Sequence, residues 1–302
     1  MAALRDRSFL DASVLSKLSG WPLCPRMPML GSVSGRHRSP IRGSSLEFAE
    51  YRKYSPGDDL RRLDWRAWGR SDRYFIKEFE ADTNLRLCLV VDTSGSMNYT
   101  AEEGMTKLDF ARRLAGTLAY LAASQGDAVA LYCAGEHFKK EIPAKRSAAH
   151  LGLVLDSIGE MSAEGETGLP EALHEAAEKV PQRALFVILS DLFMQPAVLK
   201  DAFAHLRFRK HDVAVFQILG EAEIDFEFNR PTRFIDLEGG APVLADPSVI
   251  ASSYRKAVAA YFADLEAVVR GAGVDYHRVK IEEEYGDVLS RFLLRRTPKK
   301  GR

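Results

Sequence analysis

Cysteine is scarce in this sequence, with Cys24, Cys88 and Cys133 the only three among 302 residues. An odd number with no metal-type spacing argues against a disulfide framework or a cysteine-built zinc site. Two of the three fall inside apolar runs, where Cys packs as a small core residue in a reducing compartment. Long hydrophobic runs are also missing. No stretch approaches the ~18 residues of a membrane span, and the N-terminus has no signal-peptide core; the expectation is a cytoplasmic protein with no membrane span. Charge of one sign is not in excess, because 42 Lys and Arg face 42 Asp and Glu. No global field therefore draws the chain to nucleic acid or an anionic membrane. Signatures of catalysis are absent as well. There is no G-x-x-x-x-G-K-[ST] loop and no G-x-S-x-G elbow, and HEAAE (174–178) lacks the second His of a zinc protease helix. The seven histidines form no triad or ligand cluster in the sequence and read as surface or satisfied core residues.

What is present is unevenly spread. Residues 1–53 hold nine Lys or Arg against four acids, a basic Pro/Gly/Ser-rich leader that reads as solvated or loosely packed rather than as a nucleic-acid arm. After residue 85 the periodicity becomes informative. Continuous apolar runs at 85–91, 127–134, 184–191 and 212–219 read as buried strands. Helical patterns at 107–124, 146–160, 169–180, 197–208 and 247–271 separate or follow them, the third with Pro170 in its first turn. Residues 137–143 suggest an antiparallel extension, 232–246 a hairpin around Gly239 and Gly240, and 274–281 a final strand. This alternation predicts an α/β fold, an open, mostly parallel, doubly wound sheet with helices on both faces.

In such sheets ligands bind beyond the carboxyl ends of the strands. Asp92 follows LRLCLVV and Asp191 ends ALFVILSD, so both face one crevice. In an extended loop, residues i, i+2 and i+4 point one way, so Asp92, Ser94 and Ser96 of DTSGSM converge while Gly95 permits a tight turn. An all-oxygen donor set suits Mg²⁺ or Mn²⁺ rather than zinc. Asp191 adds a second carboxylate through water, and Thr167, in EGETGLPEAL (164–173), a third hydroxyl. Each piece alone has a plainer role, with Asp92, Ser94, Ser96 and Thr167 as helix caps and Asp191 as a turn former. Their order at the strand ends is what points to a metal with one position open to a carboxylate from elsewhere.

These residues carry a resemblance. DTSGSM after an apolar strand, Thr167 in a G-x-T-x-L context with Gly165 and Leu169, and Asp191 ending a later strand resemble the metal-ion-dependent adhesion site of von Willebrand factor A domains. The resemblance covers about residues 82–295. It implies that Ser94, Ser96 and Thr167 coordinate Mg²⁺, that Asp92 and Asp191 act largely through water, and that an acidic side chain of a partner completes the shell. The chain departs from that pattern at Leu192, where many such domains have Gly after the Asp, and at Glu166, which offers itself as an internal ligand.

Ahead of this domain, residues 35–80 read G-x-H-x-S, EF, R-x-Y-x-PGDD-x-R-x-x-DW and K-x-FE. Trp65, Trp68, Tyr74 and Phe75 supply apolar area. Arg52, Arg61, Arg62, Arg66 and Arg70 interleave with Asp58, Asp59, Asp64 and Asp72 as internal ion pairs rather than a phosphate-binding groove. The block is similar to the bacterial domain of unknown function 58 family, whose members join it to a von Willebrand A-like domain and are often encoded beside MoxR-type AAA+ ATPases. The expected organisation is a basic leader at 1–34, an N-terminal module with some β structure at 35–81 packed on the sheet, the A-like domain at 82–295, and a basic tail at 296–302. The expected function is a Mg²⁺-dependent protein-binding module, an adaptor or co-chaperone for a MoxR-type ATPase or its client, and not an enzyme. Two alternatives stand beside it. One is a Mg²⁺-dependent hydrolase of phosphatase or nuclease type, although the paired Asp of dehalogenase-type sites is Ser94 here. The other is a metal-free interaction protein.

Overall fold

The structure is a computed structural model that describes residues 7–26, 33–38, 47–53, 69, 74–80, 82–83, 85–100, 104–228 and 230–297. The chain divides into two compact units, residues 1–26 with 86–302, and residues 27–85.

The smaller unit has the expected β structure. Strand β1 (Val33–Arg38) pairs antiparallel with β4 (Asp82–Thr83), and β2 (Glu47–Lys53) with β3 (Phe75–Glu80). Tyr74 is exposed. The tryptophans and the proposed ion pairs of this block involve residues or side chains outside the described part of the chain.

The larger unit is built on a six-stranded sheet of order β12-β9-β8-β5-β6-β7. Its members are β5 (Arg86–Asp92), β6 (Ala128–Ala134), β7 (Phe138–Lys145), β8 (Leu185–Ser190), β9 (Asp212–Leu219) and β12 (Asp275–Lys280). All pairings are parallel except the edge pair β6/β7. In β5, Leu87 to Val91 are all without solvent exposure. A strand covered on both faces has no polar side to show, which is why its sequence is a continuous apolar run.

The helices supply the two covers. Helix α2 (Lys107–Ser124) follows β5 and packs on it and on β6 and β9. It starts at a capping box of Thr106 and Asp109, and ends before Gly126, whose φ of 83° suits the left-handed residue that closes a helix. Helix α3 (Ala148–Gly159) lies beside it. On the opposite face, α4 (Leu169–Lys179), α5 (Pro196–Phe208) and α7 (Pro247–Gly271) share one apolar cluster with Cys88, Val90, Phe186 and Ile188. Each fully buried Leu, Val or Phe there contributes about 1.5–3 kcal/mol. The two buried cysteines are free thiols in β5 and β6, and burial pushes both up to about 12, so they are inert. Among the described residues no helix is long and apolar enough to cross a membrane.

The hairpin forms from β10 (Thr232–Phe234) and β11 (Val243–Ala245). It is anchored by rings of Phe226, Phe228, Phe234 and Tyr254 and preceded by the short α6 (Glu221–Asp225). Besides this short α6, two helices have no counterpart in the sequence pattern. Residues 12–18, treated there as leader, form α1 (Ala12–Leu18), capped by Asp11, with Val14 and Leu18 buried. Residues 285–296 form α8 (Tyr285–Arg296). Arg296, assigned above to a basic tail, is buried instead, its guanidinium 2.7 Å from Asp212 and 3.2 Å from Asp275. A run of Arg at a chain end looks solvated until its carboxylate partners, 84 residues away in the case of Asp212, are located.

Candidate functional site

The strand order reverses between β5 and β8: from β5 the chain adds β6 and β7 on one side, then crosses back to begin β8 on the other. That reversal opens a crevice at the carboxyl ends of the two strands. Asp92 is the last residue of β5, and Asp191 is the first beyond β8.

Backbone contacts bring the loop before α4 to the DTSGSM loop. Gly95 N–H donates to Gly165 O at 2.8 Å, and Glu164 N–H donates to Thr93 O at 3.0 Å. The Lys139 ammonium donates to the carbonyls of both Thr93 and Glu164, at 3.1 and 2.7 Å. Gly95 has no room for a side chain, since a Cβ would lie 2.0 Å from Leu237 O where the β10–β11 loop crosses it. Gly168 is similarly confined, since a Cβ there would lie 2.5 Å from Gly135 O.

The result is a cluster of oxygens around Asp92, which is fully buried. Its Oδ1 accepts from Ser94 N–H at 2.9 Å. Its Oδ2 accepts from the Ser190 hydroxyl at 2.7 Å and the Thr167 hydroxyl at 3.4 Å. Ser94 and Ser96 Oγ lie 3.1 Å apart. Burial, and then the charge of Asp191, push the Asp92 carboxyl up to about 6 against the opposing hydrogen bonds from Ser190 and Ser94. The plainer capping role does not account for these residues. Helix α2 is capped by Thr106, and Ser94 opens the short 3₁₀ turn Gly95–Asn98 without a side-chain cap bond. Thr167 alone keeps a partial capping bond, accepting from Leu169 N–H at 3.4 Å.

Asp191 is buried beside this cluster but faces another partner. Its Oδ2 accepts from the Lys107 ammonium at 2.9 Å, and Lys107 also donates to Glu223 at 2.7 Å. Only 1% of the Lys107 side chain is exposed, and its ammonium lies 5.2 Å from the centroids of the Tyr99 and Phe193 rings. Burial works to lower the Lys107 pKa, but the Asp191 and Glu223 carboxylates outweigh it and hold it above its ordinary value. Leu192, where a Gly is common in the A-type pattern, adopts φ 59°. That costs about 1–2 kcal/mol for an L-residue. The loop is held by the complete burial of Leu192 and by its carbonyl, which accepts from Tyr261 OH. Glu166 is exposed beside Thr167.

Sequence reasoning therefore anticipated four side chains that meet, Asp92, Ser94, Ser96 and Thr167, and a fifth, Asp191, that is held by a lysine. It missed Ser190, Lys107 and Glu223. Lys107 left no signal of its own, because the first turn of its helix already carries the acidic Asp109 that suits the helix dipole.

The donors fit a hard divalent cation in kind and spacing. An octahedron with metal–oxygen distances of about 2.1 Å has adjacent oxygens about 3.0 Å apart. The Ser94–Ser96 separation of 3.1 Å matches such an edge, and the Thr167–Asp92 separation of 3.4 Å is close to one.

The family described as "Protein of unknown function DUF58" matches residues 50–264. The chain is similar to the uncharacterized protein Rv1480 of Mycobacterium tuberculosis (strain ATCC 25618 / H37Rv), 25% identical over 95% of this chain and 90% of that one. Among solved structures it is similar to the conserved hypothetical protein BatB from Bacteroides thetaiotaomicron, with 15% identity, 70% of this chain and 98% of that chain covered, and a TM-score of 0.46. It is also similar to the SpRpn10 VWA domain, with 8% identity, 69% and 95% covered, and a TM-score of 0.41.

Proposed function

The chain belongs to the DUF58 family, whose function is unknown, so the reading must come from the crevice, and we propose that it is a divalent-cation site through which the protein docks a carboxylate of a partner protein. The observation that carries this reading is the meeting of Asp92, Ser94, Ser96 and Thr167 at the β5/β8 reversal, with oxygens spaced for one small ion. Asp92 and the three hydroxyls would hold Mg²⁺ or Mn²⁺, and Asp191 would act from further out through water. The ion supplies a positive charge that one nearby carboxylate leaves uncompensated. Neutral hydroxyls do not cancel that charge, so an acidic side chain from outside is the ligand the site favours.

A docking role rather than catalysis is the reading for the whole chain, with a MoxR-type AAA+ ATPase, or its client, as the partner that the family resemblance implies. One observation favours a metal-free variant of the same role. Lys107 already supplies a buried cation to Asp191, so the crevice holds one of its carboxylates without any ion.

The test is calorimetric titration of Mg²⁺ and Mn²⁺ into wild type, Ser94→Ala and Thr167→Val, followed by capture from lysate with and without a chelator. We expect saturable binding that both substitutions weaken, and an ATPase or client retained only with the ion. Heat of binding that is absent, or unchanged by both substitutions, would remove the metal from the proposal. Partners retained equally in chelator would leave the metal-free variant.

A further inference from the structure

Helices α4 and α5 pack side by side on one face of the sheet, and they assemble a histidine pair that the sequence spacing concealed. His174 on α4 and His205 on α5 place their Nδ1 atoms 2.9 Å apart, with ring centroids at 5.1 Å and planes inclined by 38°. On the far side of His205, Nε2 lies 2.8 Å from Oε1 of Glu178, one helical turn after His174. The other Glu178 oxygen is 3.8 Å from the Arg209 guanidinium.

The carboxylate decides where the proton on His205 resides. An ionised carboxylate only accepts, so Nε2 carries the hydrogen, and a neutral ring then presents a lone pair at Nδ1. That is the arrangement of a metal-ligating imidazole, with its outer N–H tied to a carboxylate and its inner nitrogen free. His174 aims a second ring nitrogen at the same point. Two nitrogens bound at about 2.0–2.1 Å to one ion lie about 3.0–3.4 Å apart, so an opening of a few tenths of an ångström would admit it.

We propose that His174 and His205, oriented by Glu178, form a binding site for a divalent transition-metal ion of the zinc class. Nitrogen donors of intermediate softness select Zn²⁺, Ni²⁺ or Cu²⁺ over Mg²⁺, so this site is chemically separate from the oxygen-lined crevice and does not depend on the reading given to it. The ion takes the place of the hydrogen between the two Nδ1 atoms, and that hydrogen moves to Nε2 of His174. Among the described residues no three His, Cys, Asp or Glu side chains converge as ligands, so the protein supplies two ligands and water the rest. Affinity is accordingly below that of a four-ligand structural zinc site. His205 is a quarter exposed, which leaves solvent a route to the pair. Because α4 starts just after Thr167 and α5 just after the Asp191 loop, a bound ion clamps together two helices that leave the crevice.

The test uses the full chain with Mg²⁺ in excess throughout. ZnCl₂ is titrated by calorimetry, and melting is followed with and without it. We expect saturable binding of one ion, a higher melting temperature with zinc, and loss of both in the His174→Ala/His205→Ala double variant. Glu178→Gln, which keeps both ligands, should weaken zinc binding by about tenfold. His137→Ala, at an exposed histidine elsewhere, should bind as wild type does. The proposal is overturned if wild type shows no saturable zinc binding, or if the double variant binds zinc as tightly as wild type. In either case the pair is only a hydrogen bond between helices.

Discussion

Replacing Asp92 by asparagine should stabilise this protein when no divalent ion is present, although it removes the central group of the crevice. The Asp92 carboxyl is fully buried, accepts only from neutral donors, and stands next to the Asp191 charge. Its pKa rises from 3.8 to about 6 as a consequence. A displacement of that size corresponds to about 2–3 kcal/mol against the ionised form. Asparagine keeps the Oδ1 acceptor for Ser94 N–H, and its amide can donate to the Ser190 hydroxyl, so the geometry survives. The pH dependence follows from the sign of the displacement. The folded state holds the Asp92 proton more tightly than the unfolded chain, so the associated stability is present below 3.8 and lost as pH rises through about 6. The advantage of Asp92→Asn should therefore be full at neutral pH and close to nothing at about pH 4. Urea denaturation across that range in chelator measures it. Excess Mg²⁺ should then raise the stability of wild type and leave the variant unmoved, shrinking or reversing the order. A variant less stable than wild type in chelator at neutral pH, or a difference that ignores pH, would refute the reasoning.

Other buried groups give further expected outcomes. Lys107→Met leaves Asp191 and Glu223 buried without their cation and should cost about 3–5 kcal/mol in denaturant melts; a loss under about 1 kcal/mol would mean the pair is solvated in solution. Arg296→Met takes the buried guanidinium from Asp212 and Asp275 but leaves them Arg26, with its backbone N–H on Asp212 and its guanidinium 3.0 Å from Asp275, so the cost in denaturant melts should be smaller, about 1–3 kcal/mol. Gly95→Ala drives a methyl into Leu237 O, so protease cleavage within residues 235–242 should accelerate, and unchanged cleavage would show that the loop does not rest on the crevice in solution. His211 is buried, and burial first, then Arg209, lower it from 6.5 to about 4. In the Asp92→Asn background, which removes one contribution of opposite sign, stability should fall as pH drops from about 6.5 towards 4; a flat profile there, in contrast to a fall that His211→Ala abolishes, would mean His211 takes up its proton freely.

The elements that could be read from the sequence are those whose cause is local. Strand β5 is legible because a parallel strand buried on both faces must be apolar throughout. Helix α2 is legible from its periodicity and its Thr106/Asp109 start, α4 from Pro170, and the hairpin from Gly239 and Gly240. Helix α8 was missed because its arginines mask an apolar stripe, although Val288, Leu289, Phe292 and Leu293 are buried. The candidate site divides in the same way. Asp92, Ser94 and Ser96 share one loop and announce themselves, whereas Ser190 looks like any small residue at a strand end.

By itself, then, the sequence determined the succession of the sheet strands and of the helices between them, the carboxyl-end crevice, and an oxygen-rich donor set within it, since each follows from short-range periodicity and one general rule about where strands end. Only the tertiary structure decided which charges meet. Lys107 is 84 residues from Asp191 and 116 from Glu223, and His174 is 31 from His205. Nothing local distinguishes a lysine that will be buried against two carboxylates from one that will be solvated, because the energy that selects the pairing comes from removing all three from water together. That choice is made by packing, and it is why Asp191 holds an ammonium while Asp92, at the end of the neighbouring strand, is left among hydroxyls.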